Sequence, residues 1–359
     1  MTLRAHRPES VVLLTLLALA GCGGSGPPVP AQGGAPVPDS TTRTNLYVSN
    51  QFNSTITVYE PGTKTPLRTI KAGLANPQSM TFDDSNNLYV ANYRTSTITV
   101  YANGGTGLTR FFSTNVDKPN VVAYDGSNNH IYVSNWEPTG SGSITIYSKQ
   151  GKYLGKITDM VACPDGLAID SSGNLYVVGQ CPPSKTSSSG SYNYYVTVYS
   201  GTTNKLIRTI TDGIGGAGHI ALDSKDNLYV GNAEFSDITV YKAGTTKLLR
   251  TIQDGSYYDP GPMAFDQSND LFVMNTEAVN EYAAGSGKLL QSITQGLTGC
   301  NTLIVGPYLN VASDYGGRTT SSGGTSYLSF VTTYNLVSGK LTRTISDGVA
   351  GPNALAYGP

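Results

Sequence analysis

Few residues in this chain have both the type and the company needed for covalent or acid–base chemistry. Beyond residue 44 the only histidines are His130 and His219, and the cysteines are Cys163, Cys181 and Cys300. There is no H-E-x-x-H, no paired-cysteine metal motif and no G-x-S-x-G elbow, so zinc-hydrolase and serine-hydrolase chemistry lack their usual carriers. One pairing remains. Asp165 and His219 fall at the starts of strands in neighbouring repeat units, where a carboxylate and an imidazole could share a proton. The plainer reading of each is packing and hydrogen bonding. No metal-ligand set and no cofactor motif stands out, so neither metal nor cofactor is expected.

The elements that would position such residues are repeats. The strand-like triplet Leu46-Tyr47-Val48 returns at Leu88, Ile131, Leu175, Leu228, Leu271 (as Leu-Phe-Val) and Leu309 (as Leu-Asn-Val), mostly 42 to 44 residues apart. Each is followed by a second apolar-alternating segment such as "TITVY", then by a third such as "LLRTI" after a Gly-containing turn. A fourth, such as "PQSMTFD", precedes the next triplet. Four strands per unit of about 43 residues predict an all-β fold, a seven-bladed β-propeller of four-stranded blades. The first unit lacks its fourth-type strand, and "GPNALAYG" at 351–358 supplies it. The C-terminal strand is therefore expected to complete the first blade and close the ring over residues 45–359. An eight-bladed or irregular ring is the alternative. No segment holds a helical period, so almost no helix is expected. Gly 42 and Tyr 24 against Trp 1 suit many tight turns, with tyrosines expected as amphipathic aromatics at a wet surface.

On this scaffold three sets of polar residues recur. The turns beginning at Asp83, Asp125, Asp170, Asp223 and Asp266 resemble the start of a calcium loop but lack its closing glutamate, so hairpin chemistry is the better reading. The asparagines Asn50, Asn92, Asn135, Asn232 and Asn275 end strands and should satisfy backbone groups there. The loop residues after these asparagines vary from unit to unit: Phe52, Tyr93 with Arg94, Trp136 with Glu137, Glu234 with Phe235. These loops should share one face with the entries to the inner strands, which carry Gln78, Asn120, Asp165, His219, Asn301 and Asn353. Aromatic platforms beside amides and carboxylates suit a sugar or a peptide segment. The bland reading is that they cap blade edges.

The unit resembles the YVTN-type β-propeller repeat of bacterial and archaeal surface proteins and is similar to NHL repeats, on "LYVAN", "TITVY", "LLRTI" and P-x-G-L-A-x-D. That resemblance covers residues 45–359 and implies architecture more than function. At the other end of the chain, Arg4 and Arg7 precede the apolar run "VVLLTLLALA", too short to span a bilayer. It ends in Leu19-Ala20-Gly21-Cys22, which resembles the lipobox of bacterial lipoproteins. The resemblance implies a signal peptide over 1–21 and acylation of Cys22, then a flexible Gly/Pro/Ser tether over 22–44. It places the body in the bacterial cell envelope, exported and held to a membrane through the lipid anchor. Gly23 after the cysteine points to the outer membrane or cell surface.

Charged residues make up 13% of the chain with a net charge of −1, which gives no electrostatic case for nucleic acid. The expected function is a monomeric binding or interaction module for a glycan, a peptide or an envelope protein. A lyase or hydrolase at the channel mouth, and a purely structural envelope protein, are the rivals. An exporting compartment also favours disulfides. Folding the hairpin about Ser172 sets Cys163 opposite Cys181, each nine residues from the pivot, where a bridge would fix the base of the insertion at 182–194. Cys300 is then left over. Non-reducing alkylation with intact-mass analysis checks this: of the three cysteines after residue 44, Cys300 alone should be modified.

Overall fold

Leu88, Tyr89 and Val90 point alternately to opposite faces of a strand, yet all three are buried, as a strand enclosed between two sheets requires. The computed structural model describes residues 45–359 apart from 137–141, 162, 182–192, 254–258, 276–277 and 320–324. It describes the backbone alone at 180–181, 193, 315–319 and 325–327. The signal-peptide and tether segments, Cys22 and Glu137 lie outside the described residues.

The four repeated segments of each unit form one antiparallel four-stranded sheet, and there are seven such sheets. In the second blade the order from the centre outward is Pro77–Phe82, Leu88–Asn92, Thr97–Tyr101 and Leu108–Phe112. The first blade takes its inner strand, Pro352–Gly358, from the far end of the repeats. That strand pairs with Asn45–Asn50 in the register Val48 to Leu355 and Tyr47 to Ala356. The inner strands touch one another in sequence around the ring, and Pro352–Gly358 lies between Cys300–Val305 of blade seven and Pro77–Phe82 of blade two. A single 3-10 turn, Ala102–Gly104, is the helical element among the described residues.

The apolar cores sit between blades. One contains Ile56 and Val58 of blade one with Met80 and Val90 of blade two; another joins Val331 and Ile345 of blade seven to Leu46 and Leu355 of blade one. Seven such clusters occupy the seven seams. Tyrosines belong to this interior rather than to a wet surface: Tyr47, Tyr59, Tyr101, Tyr147, Tyr199, Tyr241 and Tyr334 are among the largest fully buried side chains. A phenol can be buried so because its hydroxyl reaches a backbone carbonyl of the neighbouring blade's loop. Tyr199 donates to Asp159 O at 2.5 Å and Tyr334 to Gln295 O at 2.6 Å, and Tyr101 bonds Ala72 O likewise.

The repeated acidic turn is hairpin chemistry. One Asp83 carboxylate oxygen accepts from the amides of Ser85 (2.9 Å) and Asn87 (2.8 Å), and the other accepts from Asn87 Nδ2 (2.8 Å). Asp170 and Asp223 repeat the pattern. Asn92 similarly accepts from Ala75 N at 3.0 Å and donates to Thr99 Oγ1 at 3.0 Å, tying the strand end to the entry of its own blade. Asp83→Ala should strip the part-buried Ser85 and Asn87 donors and the buried Tyr89 hydroxyl of their acceptor and lower unfolding free energy by about 1–3 kcal/mol, read from urea denaturation.

Candidate ligand-binding loop face

The loops after Asn50, Asn92 and Asn232 turn through a serine held in the left-handed region: Ser54 (φ 54), Ser96 (φ 51) and Ser236 (φ 51). Two of these hydroxyls accept from the next blade, Ser54 Oγ from Asn76 N at 3.0 Å and Ser96 Oγ from Lys118 N at 3.1 Å. Within a blade the same loops bond the approach to the inner strand: Tyr93 N donates to Asn76 O, and Trp136 N to Lys118 O. The variable loops and the inner-strand entries therefore share one face, as the repeat spacing predicts.

Between blades two and three that face opens into a shallow cleft of about 320 Å³ lined by Asn76, Tyr93, Arg94, Ser96, Asp117 and Lys118. Tyr93 is half-buried and Arg94 exposed. Asp117 and Lys118 enter from blade three. The repeat comparison misses them because they lie just before an inner strand rather than in the loop column; their signal is the charged pair ahead of Pro119. The cleft combines an aromatic face, two cationic donors, a carboxylate and an amide, a mixed set that can grip oxygen-rich polar ligands.

The other loop candidates do not converge on it. Phe52 and Phe235, each 52% exposed, lie over glycine backbone; side chains at Gly351 and Gly215 would collide with their rings. Glu234 is exposed beside Phe235, and Trp136 is half-buried.

The inner-strand set splits in two. A one-residue bulge opens these strands at their entry, skipping Gln78, Asn120, Gly218, Asn301 and Asn353 in the ladder. Asp165 occupies the same place in blade four, where its amide donates to Val178 O at 3.1 Å. Asn353 Nδ2 donates to Gln78 Oε1 at 2.5 Å, linking blades one and two, and Asn301 Nδ2 donates to Pro352 O at 3.1 Å, linking seven and one. These amides stitch the ring. Asn120 is buried, and among the described residues its Nδ2 has no hydrogen-bond partner. His219 is displaced from the expected position, since Gly218 takes the bulge and His219 pairs with Gly231 one step further in. Asp165 and His219 are thus not equivalent by register.

His219 is half-buried, and its Nδ1 is enclosed with no hydrogen-bond partner among the described residues. Burial lowers its pKa to about 4. Among the described residues no three His, Cys, Asp or Glu side chains are grouped to hold a metal.

The hairpin carrying Cys163 and Cys181 has the register Gly166 to Val178 and Leu167 to Val177, centred on Ser172. Cys163 is buried, and the Cys181 side chain lies outside the described residues.

No protein-family model matches this chain, and no curated protein matches it. Solved structures do. A functionally unknown protein from Desulfotomaculum acetoxidans DSM 771 aligns with TM-score 0.67 at 15% identity, over 88% of this chain and 98% of that one. The computationally designed Ika8 protein aligns with TM-score 0.60 at 16% identity, over 93% and 96%. At such identities the likeness is one of fold.

The depressed His219 pKa has a definite sign. The unfolded chain binds a proton below about pH 6.5 that the folded chain refuses until about pH 4, so this residue's contribution to stability is lost as pH falls through that window. Melting curves from pH 7.5 to 4.5 should fall less steeply for His219→Gln than for the parent chain. The His219 ring resonances should not titrate above pH 5.

Proposed function

We propose that the chain is a lipid-anchored envelope protein whose propeller is a binding module, and that its loop face holds a polar ligand of the glycan or peptide class. The observation that carries this reading is the cleft at the seam of blades two and three, where Tyr93 and Arg94 meet Asp117 and Lys118. A ring whose cores all lie in its seams holds its loop ends firmly, so the backbone that carries these side chains has little freedom to lose on binding. The aromatic face of Tyr93 suits a pyranose ring or a planar peptide group, while Arg94 and Lys118 supply donors for hydroxyls or carboxylates.

The lipobox-like Leu19-Ala20-Gly21-Cys22 and the Gly/Pro/Ser tether support an anchored, exported body. Resemblance to YVTN-type repeats agrees with a surface location.

Glycan and peptide arrays probed with the full chain test the binding reading. A hit whose affinity drops about tenfold or more in Tyr93→Ala and in Arg94→Ala, with the melting temperature unchanged, is the expected outcome. No hit at high protein concentration, or hits indifferent to both substitutions, would sink it.

A further inference from the structure

The net charge of −1 conceals a division between the two ends of the ring. At the end opposite the loops each blade has two turns. One joins the inner strand to the triplet strand and carries the repeated aspartate; the other joins the third strand to the outer strand. Both lie at one end, since Phe82, Leu88, Tyr101 and Leu108 pair in a single row across blade two.

In blades three to seven a lysine closes the outer turn: Lys152, Lys205, Lys247, Lys288 and Lys340. Each directly precedes the outer-strand residue that pairs with the third-strand tyrosine, as Leu248 pairs with Tyr241 and Leu289 with Tyr282. Their carbonyls are held alike, accepting from the amides of Ser148, Ser200, Lys242, Ala283 and Asn335 at 2.8 to 3.0 Å. Lys64 in blade one and Lys225 and Lys242 in blade five lie in turns of the same face. All of these lysines are exposed, and none is ion-paired among the described residues, whereas Lys149 in the blade-three turn pairs with Asp84.

The carboxylates of this face are largely occupied by its own turns. Asp125, Asp170 and Asp223 are buried, as Asp83 is. Asp226 accepts from Ser171 N at 3.0 Å and Asp270 from Ala284 N at 2.6 Å. Among the described residues, the exposed carboxylates at this end are Glu60 and the paired Asp84. Asp117, Asp159, Asp212, Glu234, Asp259 and Asp347 are exposed in connections beyond the other end of the strands. Some linkers reach back toward the rim, with Gly348 beside Pro66 of blade one, which tempers the excess of lysine without removing it.

The turns are also fixed to one another. Ser171 bonds Asp226 between blades four and five, Ser224 N donates to Asn269 Oδ1 at 2.8 Å between five and six, and Ala243 N donates to Asn227 Oδ1 at 3.1 Å between the two turns of blade five. The closed ring thus sets its lysine turns at one level around the rim. A flat anionic surface meets such a pattern all at once, whereas a compact ligand or a linear polyanion meets an arc of it. Apolar side chains stand beside the cations: Leu249 and Leu290 are exposed, and Val337, 93% exposed, lies in the outer turn of blade seven. Lysine stems and such apolar groups suit the boundary between lipid headgroups and acyl chains. The first strand also starts here, with Asn45 pairing with Gly358 and Leu46 with Tyr59.

We propose that this lysine-rich turn face is a docking surface for an anionic lipid bilayer, holding the ring with its loop cleft turned away from the membrane. The contact depends neither on what the cleft binds nor on the acyl anchor.

The test measures co-sedimentation of the full chain, carrying Cys22→Ser so that no acyl group contributes, with phosphatidylcholine vesicles that contain or lack phosphatidylglycerol. The expected result is tighter binding to the anionic vesicles, weakening as salt is raised. Lys247→Glu combined with Lys288→Glu should lower that affinity about tenfold or more. Lys71→Glu combined with Lys156→Glu makes the same change of charge at exposed positions away from the turn face and should lower it less than about twofold. Residues 1–44 are common to all these chains, so the difference between the two pairs reports on the ring, and melting temperatures equal to the parent's confirm that both fold. No preference for anionic vesicles, or equal losses in the two pairs, overturns the proposal. A DNA duplex that binds the parent chain more tightly than the anionic vesicles do also overturns it, by assigning the face to a linear polyanion.

Discussion

A four-stranded blade exposes two apolar faces, and neither can be satisfied within the blade. Every core in this protein is shared: Val122 of blade three packs with Val100 of blade two, and Leu167 of blade four with Ile146 of blade three. The arrangement works only as a closed ring, because an open array would leave two end blades each with one face in water. The strand Pro352–Gly358 meets that condition. It brings Leu355 into the core with blade seven and Ala354 and Ala356 into the core with blade two. Loop face, stitched entry and tyrosine staples all take their positions from this closure.

Polar groups follow the same logic of sharing across seams. The third-strand tyrosines hold carbonyls of the preceding loop, the outer-strand arginines hold carbonyls of the following turn, and the entry amides hold one another. Most of these groups are buried, where an unmade bond costs about 1–3 kcal/mol. In blade six Phe272 and Gln291 replace both the triplet tyrosine and the outer-strand arginine, whereas blade seven keeps Arg343 beside Asn310 and blade three keeps Tyr132 with Gly155 in the arginine's place.

The architecture is readable in the sequence because period and burial carry it. Seven copies of Leu-Tyr-Val and its variants can be counted without coordinates, and "GPNALAYG" fits only one vacant place. The tyrosines are misjudged from sequence: an aromatic with a polar tip suits a wet surface equally well, and only the seams reveal carbonyls waiting for Tyr101 and Tyr147. His219 is misplaced by one position although the count is there to read: Gln78 stands ten residues before its triplet and His219 nine, so Gly218 holds the bulged place that Gln78 holds in blade two. The cleft is half visible. Tyr93 and Arg94 stand out within the column of loop sequences, whereas Asp117 and Lys118 come from the next repeat, and comparing copies down a column cannot show which residues meet across it.

The position of Asn45–Asn50 within its sheet bears on how the ring carries mechanical load. This strand is flanked on both sides, by Pro352–Gly358 and by Thr55–Tyr59. A pull applied along the chain at Asn45 is resisted by both ladders in shear, with many hydrogen bonds strained together. The same pull on a peripheral strand would peel its bonds one at a time. Tension entering the ring from residues 1–44 would therefore meet two ladders at once rather than a single one.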